Sequence, residues 1–133
     1  MHERRKAHGQ IVAQAFGLVE YHHRMYAGID FRVWTESFAA NDRACTEGEK
    51  EGCIKLRLDR RDRPLGVQIV APQAGDLLAE WVAVLNGGVK LSTLAGSVHP
   101  YPTLAEISKR VVGNVFSPKL FSKTVRRILK LIH

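Results

Sequence analysis

Gly52-Cys53-Ile54-Lys55-Leu56-Arg57-Leu58-Asp59-Arg60-Arg61-Asp62-Arg63-Pro64-Leu65-Gly66-Val67-Gln68-Ile69-Val70-Ala71 alternates twice. Ile54, Leu56 and Leu58 fall on one side of an extended chain, and Lys55, Arg57 and Asp59 on the other. Val67, Ile69 and Ala71 repeat the pattern after Leu65. A period of two is that of a half-buried strand. The short polar connection Arg60-Arg61-Asp62-Arg63-Pro64 predicts that the two strands close as an antiparallel hairpin. Its arginines read as a soluble turn before they read as a ligand site.

Upstream, Phe31 to Phe38 alternates bulky and polar residues around Val33, Trp34 and Thr35, which predicts another strand. Asn41 then caps a short helical turn reaching Ala44. Residues 10–26 carry Ile11, Val12, Ala15, Phe16 and Val19 at a spacing that fits a helix, weakened by Gly17 and ended by Gly28.

Downstream, Leu77, Leu78, Trp81, Val82 and Leu85 form one stripe of an amphipathic helix over Ala74 to Leu85, stopped at Asn86-Gly87-Gly88. Val98-His99-Pro100-Tyr101-Pro102 is a stiff extended lead-in, because each proline fixes its own φ and disfavours helix in the residue before it. Thr103-Leu104-Ala105-Glu106 has the form of a capping box, with Ile107, Val111, Val112 and Val115 facing inward beyond it. Ser117-Pro118 is expected to break that helix and start a last one. Strands grouped before helices predict an α+β fold: a small antiparallel sheet with the 74–86 and 104–116 helices packed on one face.

The 133 residues, 45% hydrophobic and 25% charged, suit one globular domain. The net charge of +7 is uneven. Residues 1–28 hold four Lys/Arg against two acids, 29–116 hold eleven against eleven, and 117–133 hold five against none. The tail places Phe121, Val125, Ile128, Leu129 and Ile132 on one face and Lys119, Lys123, Arg126, Arg127 and Lys130 around it. Such a helix either packs on the body or lies on an anionic membrane surface, making peripheral membrane contact the rival reading of this segment. No base-stacking aromatic set accompanies it, so no nucleic acid is expected.

Cys45 and Cys53 are too few and wrongly spaced for a disulfide scaffold, a redox C-x-x-C or a zinc site, and read as free thiols in a cytoplasmic protein. No apolar run approaches the roughly 20 residues that span a bilayer. No two glycines are separated by a single residue, which excludes the usual dinucleotide loop, and the nucleoside-triphosphate loop is also missing. The six histidines lack metal-ligand spacing, so no metal is expected. His99, Tyr101 and Glu106 are left as candidate catalytic residues, able to donate or accept protons from a stiff loop at a helix start. Tyr101 also reads as an aromatic plug, Glu106 as a capping partner and His99 as a pre-proline residue, and pattern alone favours that structural role.

Gly66-Val67-Gln68-Ile69-Val70-Ala71-Pro72-Gln73-Ala74-Gly75-Asp76-Leu77-Leu78, followed by His99-Pro100-Tyr101-Pro102-Thr103-Leu104-Ala105-Glu106, resembles the C-terminal dimerisation domain of the pyridine nucleotide-disulfide oxidoreductases. Phe38-Ala39-Ala40-Asn41-Asp42-Arg43-Ala44 and the strands from Gly52 extend the resemblance over about residues 31–116. It implies an N-terminal helical segment at 1–28, a dimerisation domain at 29–116 and a basic amphipathic C-terminal helix at 117–133. It also implies a homodimer, or a complementing subunit joined to a separate flavin-bearing partner domain. FAD and NAD(P) are expected only with family domains that these residues do not contain, so no cofactor is expected in this chain and no catalysis from it alone.

Thiol-reducing members carry His-Pro-Thr-x-x-Glu. Aligning Pro102, Thr103 and Glu106 places Tyr101 where that histidine stands, with His99 two residues early. Tyrosine at this place resembles the mercuric-reductase-like branch, although the terminal cysteine pair of mercuric reductases is missing. The resemblance thus implies that Tyr101 and Glu106, with His99 nearby, face the flavin of the other subunit.

Overall fold

The computed structural model describes residues 11–16 and 30–120. Four strands, β1 (Ile11–Phe16), β2 (Arg32–Ser37), β3 (Cys53–Leu58) and β4 (Pro64–Ala71), form one sheet in the order β1-β4-β3-β2. Every neighbouring pair is antiparallel. Among the described residues four α-helices accompany them: α1 (Asp42–Glu47), α2 (Ala74–Gly87), α3 (Leu91–Gly96) and α4 (Glu106–Leu120). The α+β architecture read from the sequence is the one observed.

The β3–β4 hairpin is central. Ile54 pairs with Ile69 and Leu56 with Val67, so directly opposed residues share a face and the two apolar rows merge. Ile54, Leu56, Leu58, Val67, Ile69 and Ala71 are all buried. A register irregularity at Arg57/Leu58 absorbs the longer turn. There Asp59 Oδ1 accepts from the backbone N–H of Arg61 and of Arg63, both at 2.8 Å, while Oδ2 takes the Arg63 guanidinium at 2.6 Å. Burial pushes the Asp59 carboxyl up, but the Arg63 and Arg61 hydrogen bonds and the Arg63 charge outweigh it and leave its pKa below the ordinary carboxylate value. The predicted turn is therefore built around a carboxylate as well as its arginines.

At the other end of β3, Gly52 has φ +117°, and a Cβ built there would stand 2.0 Å from the Val70 carbonyl oxygen. Only glycine lets β3 begin so close to β4.

The sequence predicts a helix over 10–26; the structure instead has residues 11–16 as an edge strand, pairing from Ile11 with Ala71 to Phe16 with Gly66. The apolar spacing fits a helix locally, but β4 offers a free edge of N–H and C=O groups, and pairing satisfies them in a way a short helix could not. The rest of that predicted helix lies outside the described residues.

Helix α2 lies over β1 and β4, and α4 over β2 and β3. Trp81 and Val84 of α2 meet Ile107, Val111, Val112 and Val115 of α4 in one core with the sheet. Buried Trp81 Nε1 donates to buried Ser108 Oγ at 2.9 Å, tying the two helices across apolar surroundings. The stripe read from sequence is rotated: Val84 is buried, whereas Val82 is exposed. The short α3 was not apparent from periodicity, yet its Leu91 and Leu94 join the core.

Helix α4 starts at Glu106 and runs through Pro118, so the predicted break at Ser117-Pro118 does not occur. Proline removes one N–H near the end of the helix, and that loss does not stop it. The tail helix beyond Leu120 and its proposed membrane contact lie outside the described residues.

Candidate functional site

The arm Ser97 to Thr103 runs between α3 and α4 and is fastened at several points. Ser97 Oγ donates to the Leu94 carbonyl at 2.7 Å. His99 Nε2 lies 2.7 Å from Glu80 Oε1 on α2, and Nδ1 lies 3.4 Å from Ser97 Oγ. Only 8% of the His99 side chain is exposed. Beyond it, Thr103 Oγ1 donates to the Pro100 carbonyl at 2.7 Å, and Thr103 N–H reaches Glu106 Oε2 at 3.4 Å. The expected capping box is thus half formed: Glu106 reaches back, but the Thr103 hydroxyl serves the arm and the helix starts later.

Helix α1 holds the far end of the arm. Asn41 Oδ1 accepts from Ala44 N–H at 3.0 Å, as the cap reading predicted, while Asn41 Nδ2 donates to the Thr103 carbonyl at 3.0 Å. Asn41 is 3% exposed, and both ends of its amide are used. One residue on, Asp42 Oδ2 accepts from Tyr101 Oη at 2.7 Å. The Asp42 hydrogen bond and its negative charge, with smaller contributions from burial and Glu106, raise the Tyr101 pKa above its ordinary value of 10.0. A phenol so held is a weaker acid than free tyrosine and is neutral at pH 7.

Tyr101, Asp42, Asn41, Glu106, Lys109 and Arg110 surround an open cavity of about 220 Å³. Arg110 Nε also reaches Glu36 Oε1 of β2 at 3.0 Å, and Asn114 Nδ2 donates to the other oxygen of that carboxylate. Two of the three residues singled out from sequence, Tyr101 and Glu106, therefore meet at one cavity. His99 does not; it points to Glu80 and anchors the arm from inside. Asp42, Lys109 and Arg110 escaped the sequence reading, because Asp42 lies 59 residues from Tyr101 and no spacing links them. The adjacent cap Asn41 was the one available signal.

The cavity is below the roughly 300–1,000 Å³ usual for drug-sized ligands, and its rim is acid and base in mixture. Among the described residues no group of three His, Cys, Asp or Glu could hold a metal ion. None of the helices formed by the described residues is long and apolar enough to cross a membrane. What the surface offers is an exposed arm: Val98 is 93% and Tyr101 69% accessible. Large apolar side chains displayed on a fastened loop suit contact with another protein surface.

A sheet backed by helices on one face, with a rigid arm projecting beside the start of α4, defines an interface module of the α+β class. The chain belongs to the pyridine nucleotide-disulphide oxidoreductase family, whose dimerisation domain matches residues 15–112. It is 40% identical over 92 residues to dihydrolipoamide dehydrogenase of Chaetomium thermophilum, covering 68% of this chain and 18% of that protein. It is 44% identical over 91 residues to dihydrolipoyl dehydrogenase of Thermus scotoductus, covering 68% and 20%. The chain thus spans about a fifth of the length of the curated relatives it matches. Its fold is shared with LpdA from Mycobacterium tuberculosis (TM-score 0.67, 20% identity, 78% of this chain and 22% of that one). The HOCl-induced flavoprotein disulfide reductase RclA from Escherichia coli has the same TM-score of 0.67, at 20% identity over 78% of this chain and 24% of that one.

Proposed function

We propose that this dimerisation domain self-associates about a two-fold axis and, joined to flavin- and nicotinamide-binding domains, presents Tyr101 and Glu106 across the interface to the flavin site of the other subunit. The observation that carries this reading is the arm itself, which holds Tyr101 by a hydrogen bond yet leaves 69% of it accessible. A two-fold interface is isologous, so each arm would meet the same patch on the partner. With tyrosine in place of a histidine base, the reading favours the mercuric-reductase-like branch over lipoamide chemistry, although dihydrolipoyl dehydrogenases are among the relatives found. The raised pKa of Tyr101 supports this, since a neutral phenol cannot replace imidazole as a base near pH 7. The isolated chain is expected to bind no flavin and to oxidise no NAD(P)H. Sedimentation velocity at micromolar concentration tests the association: a dimer is expected, and a strictly monomeric boundary would refute it.

A further inference from the structure

The contact between Tyr101 and Asp42 joins residues from separate elements and determines what the arm can offer. Asp42 is the first residue of α1, fixed in place by the Asn41 cap, and Asn41 in turn holds the arm at Thr103. Helix α1 therefore grips the arm twice, once on the backbone and once on the phenol. A tyrosine hydroxyl has a single proton, and here it lies along the 2.7 Å line to Asp42 Oδ2. The oxygen is left with lone pairs only, on a ring that is largely in solvent. Among the described residues, the other charged groups lining the cavity are Glu106, Lys109 and Arg110. Arg110 is partly committed to Glu36, and Glu106 to the Thr103 N–H.

We propose that Asp42 is a positioning residue for Tyr101: by accepting the hydrogen bond of the phenol, it makes Tyr101 meet a docked surface as a neutral acceptor, matched to an N–H or O–H donor. The proposal rests on the reading of the arm as an interface element. It gives Tyr101 a role distinct from that of a base or a phenolate nucleophile, and it assigns Asp42 a function that sequence spacing could not reveal. A second copy of the chain must then bring a donor to this oxygen.

The test uses the full chain and the near-ultraviolet absorbance of phenolate. Tyr21, Tyr26 and Tyr101 are its three tyrosines, so subtracting the Y101F titration isolates the Tyr101 step. In D42N that step is expected at a lower pH than in the wild type, because the charge that disfavours phenolate is gone. An unchanged midpoint would overturn the proposal. Should D42N fail to fold, carbon-13 NMR of labelled tyrosine in the wild type decides the matter: Tyr101 must titrate above the ordinary 10.0, and a value at or below it overturns the pairing. Where the chain associates, D42A and Y101F should each weaken the dimer about three- to tenfold, the worth of one hydrogen bond, and the double variant no more than either. Additive losses would overturn the acceptor role. The titrations need no association, so a monomeric chain refutes the dimer reading while leaving the pairing to be judged separately.

Discussion

Replacing Asn41 by alanine removes two interactions at once, and the structure separates their costs. The first is the cap, Oδ1 to Ala44 N–H at 3.0 Å; losing such a cap costs about 0.5–2 kcal/mol. The second is Nδ2 to the Thr103 carbonyl at 3.0 Å, whose loss leaves a part-buried acceptor without its partner, at about 1–3 kcal/mol and nearer the low end because water can reach it. Together N41A should destabilise the chain by about 2–3 kcal/mol. N41S retains a capping hydroxyl but is too short to reach Thr103, so it should lose only about 1 kcal/mol. For a chain of 133 residues each kcal/mol lowers the melting temperature by about 3–4 °C, giving a fall of roughly 6–12 °C for N41A and 3–4 °C for N41S. Urea unfolding followed by far-ultraviolet circular dichroism measures both. An N41A loss below about 0.5 kcal/mol, or equal losses in the two variants, would refute the division between cap and arm.

Two further outcomes test how the sheet is held. G52A must place a Cβ 2.0 Å from the Val70 carbonyl oxygen at φ +117°, so backbone strain alone should cost about 1–3 kcal/mol and the clash should add to it; a melting temperature within about 2 °C of the wild type would contradict the close approach. Asp59 tests the hairpin turn through pH. Its folded pKa is lowered, so its contribution is fully present above the unfolded value of 3.8 and is lost as the pH falls through the lower native value. The stability difference between wild type and D59N should therefore be constant at neutral pH and shrink only in the acid range below 3.8; a difference that persists there would contradict it.

The hairpin was legible because its information is local. Alternation in Ile54-Leu56-Leu58 and Val67-Ile69-Ala71 specifies faces residue by residue, and a slip by one position would expose every apolar side chain. Residues 11–16 were misread for the opposite reason: their spacing is compatible with two periods, and an edge of β4 some 55 residues away decides between them. Val82 and Val84 exchange places relative to the predicted stripe because one residue turns an α-helix by about 100°, and only the packed sheet fixes its rotation.

At the candidate site the division is similar. Sequence by itself determined the stiff arm, the capping role of Asn41 and the meeting of Tyr101 with Glu106 near a helix start, since prolines, caps and short spacings act through neighbouring backbone. Tertiary structure alone decided that His99 turns inward to Glu80 and that Asp42 accepts a hydrogen bond from Tyr101. Those partners lie 19 and 59 residues away along the chain. A hydrogen bond depends on distance in space, and it is the folding of α1, α2 and α4 around one core that brings such partners together.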